Sequence, residues 1–246
     1  MINEATISRL YEMKLSVMAA SYRQQLDDTG IHKFSFDERF GLLVDTEWTT
    51  RKNNRLKRLI HYADFPISGA CIEDLEYRAD RKLDRELITQ LATCTYIADK
   101  RNIIILGATG TGKTFLACAL GMSACRHFNS VKYIRLPDLL DELSVAKGEG
   151  IFQKVIQNYK KIDLLILDEW LLTSITDSES RDLLEIVESR YGRCSTVFSS
   201  QFDPAGWQIK LGEGPLAESI LDRIIHDSYT IMIKGEESMR KRKGTN

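Results

Sequence analysis

Ile7, Leu10, Tyr11, Leu15, Met18 and Tyr22 recur at helical spacing, so the chain opens on helix. Asp27-Asp28-Thr29-Gly30 then interrupts the pattern. Ser35 followed by Glu38 is a capping-box signature, in which side chain and backbone satisfy each other at a helix start. It predicts a second helix running to about residue 63, with an apolar stripe of Phe36, Phe40, Leu43, Val44 and Trp48. Pro66 and Gly69 mark a linker, followed by one or two short helices to about residue 97. The period then changes. Asn102-Ile103-Ile104-Ile105-Leu106 is a short apolar run of the kind found in buried parallel strands. Segments 131–136, 162–167, 195–199 and 229–233 read as further strands, and 113–128, 138–146, 151–160 and 179–191 as helices. Strands alternating with helices predict an α/β fold, with a central parallel sheet of about five strands covered on both faces.

This pattern divides the chain into a small N-terminal helical domain at 1–65 for DNA or partner contacts, a linker with short helices at 66–100, and an α/β core at 101–246 with a basic tail. Little chain follows the last predicted strand, so no full helical lid domain is expected. Hydrophobic residues at 43% and charged residues at 28% are ordinary for a soluble globular protein. The net charge of -1 points to neither nucleic acid nor membrane, so any such partner must meet a local patch. No apolar run approaches the ~20 residues that span a bilayer. Met1-Ile2-Asn3-Glu4 has no signal-peptide character. Five scattered cysteines without a CxxC spacing argue against zinc and against a disulfide framework. A reduced, cytoplasmic protein without a membrane partner is expected.

Gly107-Ala108-Thr109-Gly110-Thr111-Gly112-Lys113-Thr114 matches the phosphate-loop pattern GxxxxGK[ST], between a predicted strand and a predicted helix. The chemistry needs each part. Glycines let successive backbone N–H groups turn toward one phosphate, and the following helix start adds partial positive charge. Lys113 reaches the β- and γ-phosphates, and Thr114 offers its hydroxyl to Mg²⁺. ATP and Mg²⁺ are therefore the expected cofactors. The strand at 162–167 ends in Asp168-Glu169. Asp168 is placed to hold Mg²⁺ and Glu169 to polarise a water toward the γ-phosphate. An acidic turn after a core strand is common by itself, but about fifty residues after a complete phosphate loop it reads as a catalytic pair.

Read with their flanks, these segments resemble the IstB-like family of AAA+ ATPases, helper proteins of IS21-type bacterial transposons related to the DnaC-type helicase loaders. The resemblance runs through Phe36-Asp37-Glu38-Arg39-Phe40-Gly41-Leu42-Leu43, Asn53-Asn54-Arg55-Leu56, the phosphate loop and 164–170. It continues through Ser195-Thr196-Val197-Phe198-Ser199-Ser200-Gln201-Phe202 with Trp207, Leu221-Asp222-Arg223-Ile224 and Lys234-Gly235-Glu236-Glu237-Ser238-Met239-Arg240. It implies an ATPase that self-associates into a ring or filament, binds double-stranded DNA and presents it to an IstA-like transposase. It also implies that Arg223 completes a neighbour's ATP site, that Ser200 or Gln201 senses the γ-phosphate, and that Arg240 is a second sensor. The plainer reading of Arg223 is a surface partner of Asp222 or Asp227, and that of Arg240 is part of the basic tail. Trp170-Leu171-Leu172 departs from the glycine-containing turn common in relatives.

Two basic clusters suit DNA phosphates: Arg51, Lys52, Arg55, Lys57 and Arg58, and, in the tail, Arg240 with Lys241, Arg242 and Lys243. The plainer alternative is a solvated helix face and a solvated tail. Three rival functions remain: a DnaC-like helicase loader, a module using ATP as a structural ligand, and a small-molecule kinase. Intact Lys113, Asp168 and Glu169 disfavour the second, and the lack of an acceptor-binding domain disfavours the third.

Overall fold

The computed structural model of the chain describes residues 2–235. It divides into two compact units, Met1–Arg58 and Leu59–Asn246.

The first unit starts with α1 (Ile2–Glu12) and α2 (Ser16–Asp27). The unbroken helical spacing of the sequence hides a break between them, where Lys14 adopts a left-handed φ of 60°. Ile7, Leu10 and Ala19 form the buried centre of this pair. Helix α3 (Phe36–Ala63) begins at the predicted capping box: Glu38 N donates to Ser35 Oγ at 3.3 Å and Ser35 N to Glu38 Oε2 at 2.7 Å. Glu47 fastens α3 to the start of α2 by accepting from Met18 N at 2.8 Å. Of the predicted apolar stripe only Leu43 is buried, while Phe36 is 70% and Trp48 57% exposed, with Phe40 and Val44 also exposed. The stripe is therefore surface, whereas Leu43 is buried and Glu47 meets the start of α2.

The expected domain boundary near residue 65 moves into α3, between Arg58 and Leu59. The segment predicted as a linker packs into the second unit. Helices α4 (Arg85–Ala92) and α5 (Thr95–Ala98) bury Ile88, Leu91, Tyr96 and Ile97. Ala92 O accepts from Ser123 Oγ at 2.8 Å, and Tyr96 O from Ser195 Oγ at 3.1 Å.

The core then runs β1 (Asn102–Gly107), α6 (Lys113–Arg126), β2 (Val131–Arg135), α7 (Leu136–Gly148), α8 (Phe152–Lys160) and β3 (Leu164–Asp168). It continues through α9 (Asp177–Arg190), β4 (Ser195–Ser200), α10 (Pro204–Leu211), α11 (Pro215–Ile225) and β5 (Ser228–Ile233). The five strands are parallel in the order β2-β3-β4-β1-β5. Side chains alternate across a strand, so each strand feeds two layers. Ile104, Leu106, Leu165, Leu167 and Phe198 join the large core shared with α7 to α11. The intervening residues face α6. There Ile166 Cδ1 lies 2.8 Å from where a Cβ would stand on Gly121, and Tyr133 packs against Cys118 and Ala119. The five cysteines are free thiols. Among the described residues no helix is long and apolar enough to cross a membrane.

Candidate nucleotide site

The loop at 107–114 leaves the C-terminal end of β1, which lies between β4 and β5. Strand order reverses there, and α/β sheets open a crevice at such points. Gly107 is required by contact: a Cβ on it would meet Ile233 O at 2.5 Å and Thr111 Oγ1 at 2.9 Å. Gly112 is required by conformation, turning into α6 with a left-handed φ of 95°. Lys113 Nζ lies over the loop, donating to Gly107 O at 2.8 Å and Ala108 O at 2.9 Å. Burial lowers its pKa, and Asp168 opposes that shift. The ammonium is thus held where phosphate oxygens can replace those carbonyls.

Thr114 Oγ1 donates to Asp168 Oδ2 at 2.6 Å, although 54 residues separate them. These two hard oxygens suit Mg²⁺, which takes one or two protein ligands and completes its shell with water and substrate phosphate. Among the described residues there is no cluster of three or more His, Cys, Asp or Glu that would make a protein-only metal cage. Glu169 follows with a left-handed φ of 54°, and its carboxylate lies 3.8 Å from Arg135 Nη1. Thr109, Gly110, Lys113, Thr114, Asp168 and Glu169 line one cleft.

Three contributors escaped the sequence reading. Tyr133 of β2 donates to Asp168 Oδ2 at 2.9 Å; burial and then the Asp168 charge push its pKa well up, so it stays a donor. Buried Arg81 donates to Thr111 O at 2.8 Å and Glu76 O at 2.8 Å, placing a cation behind the loop, while its own carbonyl accepts from Lys234 N at 3.1 Å. Ser199 lines the cleft, and its buried hydroxyl has no hydrogen-bond partner among the described residues. The expected sensor Ser200 is turned the other way. Its Oγ donates to Trp170 O at 2.8 Å and accepts from Trp207 Nε1 at 2.9 Å, within the opposite layer. The reason is strand alternation: Ser199 shares the α6 face with Asp168, and Ser200 does not. Gln201 is exposed and lines the cleft.

Arg223 lies elsewhere. It sits on α11, ion-paired with Glu188 of α9 rather than with Asp222 or Asp227, and donates to Ser219 O at 2.9 Å. It shares a cavity with Asn102, the first residue of β1. The six residues of β1 place that end roughly 16 Å from the phosphate loop at ~3.3 Å per residue. In the first unit, Arg51 is spent on Glu47 at 2.5 Å and on Lys14 O, whereas the Lys52 ammonium lies 3.8 Å from the Trp48 ring centroid. Lys52, Arg55, Lys57 and Arg58 are exposed. Arg240, Lys241, Arg242 and Lys243 lie outside the described residues.

The family model for IstB-like ATP binding proteins matches residues 8–246. The chain belongs to that family. This IstB-like chain is 42% identical over 201 residues to a protein of insertion sequence IS1162 from Pseudomonas fluorescens, named for ATP binding, covering 82% of this chain and 87% of that one. It is 36% identical over 243 residues to the insertion-sequence ATP-binding protein y4pL of Sinorhizobium fredii strain NGR234, covering 99% of each. Its fold is similar to that of AMPPCP-bound DnaA from Aquifex aeolicus, with a TM-score of 0.59 and 22% identity over 72% of this chain and 56% of that one. The IstB-like chain is thus an ATP-binding protein with the AAA+ P-loop fold.

Proposed function

We propose that this chain is an ATPase that assembles with ATP on double-stranded DNA and presents that DNA to the transposase of its insertion sequence. The observation that carries the reading is the convergence of Lys113, Thr114, Asp168, Glu169 and Ser199 on one cleft from three separate strand ends. The loop amides and Lys113 bind the β- and γ-phosphates. Thr114 and Asp168 would hold Mg²⁺, which would neutralise charge on those phosphates, while Tyr133 holds the Asp168 carboxylate by a hydrogen bond. Glu169 orients the attacking water and takes its proton. Ser199 and Gln201 offer the polar contacts for the γ-phosphate that the resemblance had attached to Ser200 and Gln201. Arg223 cannot serve its own loop across the length of β1, which supports a role in the site of the next subunit.

Replacing Lys113 by alanine is expected to weaken ATP binding by about 100-fold, since charge-assisted phosphate contacts of about 1.5–3 kcal/mol each are lost. Titration with a fluorescent ATP analogue measures this, and unchanged affinity would remove the phosphate-loop assignment.

DNA contact is proposed for the exposed face of α3 carrying Lys52, Arg55 and Arg58. The chain has three tryptophans; Trp170 and Trp207 are buried, and exposed Trp48 stands beside Lys52. Duplex DNA added with ATP to the Glu169→Gln protein is therefore expected to quench Trp48 emission. Lys52→Ala should reduce the salt slope of binding by about 0.9, the loss of one phosphate contact. Binding that leaves Trp48 emission unchanged moves the DNA surface off α3. Preference for single strands would instead favour a helicase loader.

A further inference from the structure

The turn carrying Glu169 is held from behind by Phe198, Ser200 and Trp207, none of which lines the nucleotide cleft. Glu169 and Leu171 adopt left-handed φ values of 54° and 49°, where non-glycine residues are unfavourable unless their surroundings enforce them. Between them, Trp170 is wholly buried, as is Leu171. Both backbone polar groups of Trp170 are tied to β4: its N–H donates to Ser199 O at 2.8 Å, and its carbonyl accepts from Ser200 Oγ at 2.8 Å. The Ser200 hydroxyl is itself fixed by Trp207 Nε1 at 2.9 Å and Phe202 N at 3.1 Å. The Trp170 indole is wedged edge-on against Phe198 at 4.7 Å and Trp207 at 5.9 Å between centroids. Its own Nε1 is buried without a partner among the described residues, and packing and the two backbone bonds hold this residue in place. On the other side, Glu169 N donates to Asp168 Oδ1 at 2.9 Å.

We infer that Ser200 and Trp207 are positioning residues for Glu169, acting through the Trp170 backbone to hold the strained turn that aims its carboxylate. This rests on the proposed role of Glu169 in hydrolysis. It assigns a task to the Trp170-Leu171-Leu172 departure: the buried Trp170–Ser200–Trp207 lock supplies, with packing and backbone bonds, the restraint that a glycine turn would not need.

The test measures ATP affinity and turnover separately, with and without duplex DNA, in Ser200→Ala and Trp207→Phe. Ser200→Ala removes the donor to Trp170 O and is expected to lower kcat roughly 10- to 100-fold, the scale of a small misplacement of a catalytic group. ATP affinity should stay within about twofold, because Lys113 and the loop are untouched. Trp207→Phe keeps a ring in place and loses one donor to Ser200, so a smaller loss in kcat is expected. Combined with Glu169→Gln, Ser200→Ala should add nothing further, because both act on the same carboxylate. If Ser200→Ala fails to fold, as judged by its circular dichroism, the Trp207→Phe pair of measurements decides. Wild-type kcat in folded variants, equal losses in affinity and kcat, or an additive effect on Glu169→Gln would each overturn the lock. Absence of turnover in the wild-type protein would instead remove the hydrolysis reading on which it rests.

Discussion

Replacing Arg223 by alanine is expected to lower ATP turnover by roughly 10³- to 10⁵-fold, the range over which a guanidinium supplied to a phosphoryl-transfer site acts. ATP binding should be retained. The expectation follows from position: Arg223 lies by the N-terminal end of β1, while the phosphate loop leaves its C-terminal end. Its present partners, Glu188 and Ser219, hold the guanidinium at the surface of α11. An arginine so placed contributes to hydrolysis through a neighbour or not at all. Mixing Arg223→Ala with Lys113→Ala subunits separates these cases. Each lacks what the other has, so mixed assemblies contain intact composite sites and should regain turnover. Glu188→Gln is the control for folding. It removes the ion pair, a half-exposed one contributing about 0–1 kcal/mol, and leaves the guanidinium, so turnover should persist. Wild-type turnover in Arg223→Ala, or silence in the mixture, would leave Arg223 as a structural residue of the α9–α11 contact.

The second large effect is expected at Glu169. Glutamine has nearly the same shape but cannot accept a proton, so Glu169→Gln should lower kcat by roughly 10²- to 10⁴-fold. The placement of Lys113 over the loop, the Thr114–Asp168 pair and the backbone of the turn remain, so ATP affinity should change little. Single-turnover hydrolysis beside nucleotide titration reads both quantities. Unreduced turnover would mean that another group orients the water, and loss of ATP binding would mean that the carboxylate is part of the binding site. The retained binding is also what makes this variant useful for following ATP-dependent complexes on DNA.

Much of the fold was legible because it rests on short-range rules. Alternation of apolar runs located all five strands to within two residues at either end, as with 131–136 against Val131–Arg135. The capping box at Ser35 and Glu38 located the start of α3 because both partners lie within one helical turn. The break between α1 and α2 was hidden because it needs only one left-handed residue, Lys14, with no glycine or proline to announce it. Helix α10 escaped notice for a related reason: eight residues are too few for a clear 3.6-residue period, and its start depends on Asp203 accepting from Gly206 N.

The sequence by itself determined the phosphate loop and the Asp168-Glu169 pair. A phosphate cradle is made by consecutive backbone groups, so its requirements for glycine, lysine and threonine are written in consecutive residues. Only the tertiary structure decided what depends on pairing between distant segments. The register of β4 beside β1 and β3 turned Ser199 toward Asp168 and Ser200 toward Trp207. Packing of 66–100 onto the core brought Arg81 behind the loop, and β2 brought Tyr133 to Asp168. The aromatic stripe of α3 shows the same limit. Its periodicity announces an apolar face, but burial depends on what packs there: Leu43 is the buried member, and α2 meets α3 at Glu47 instead.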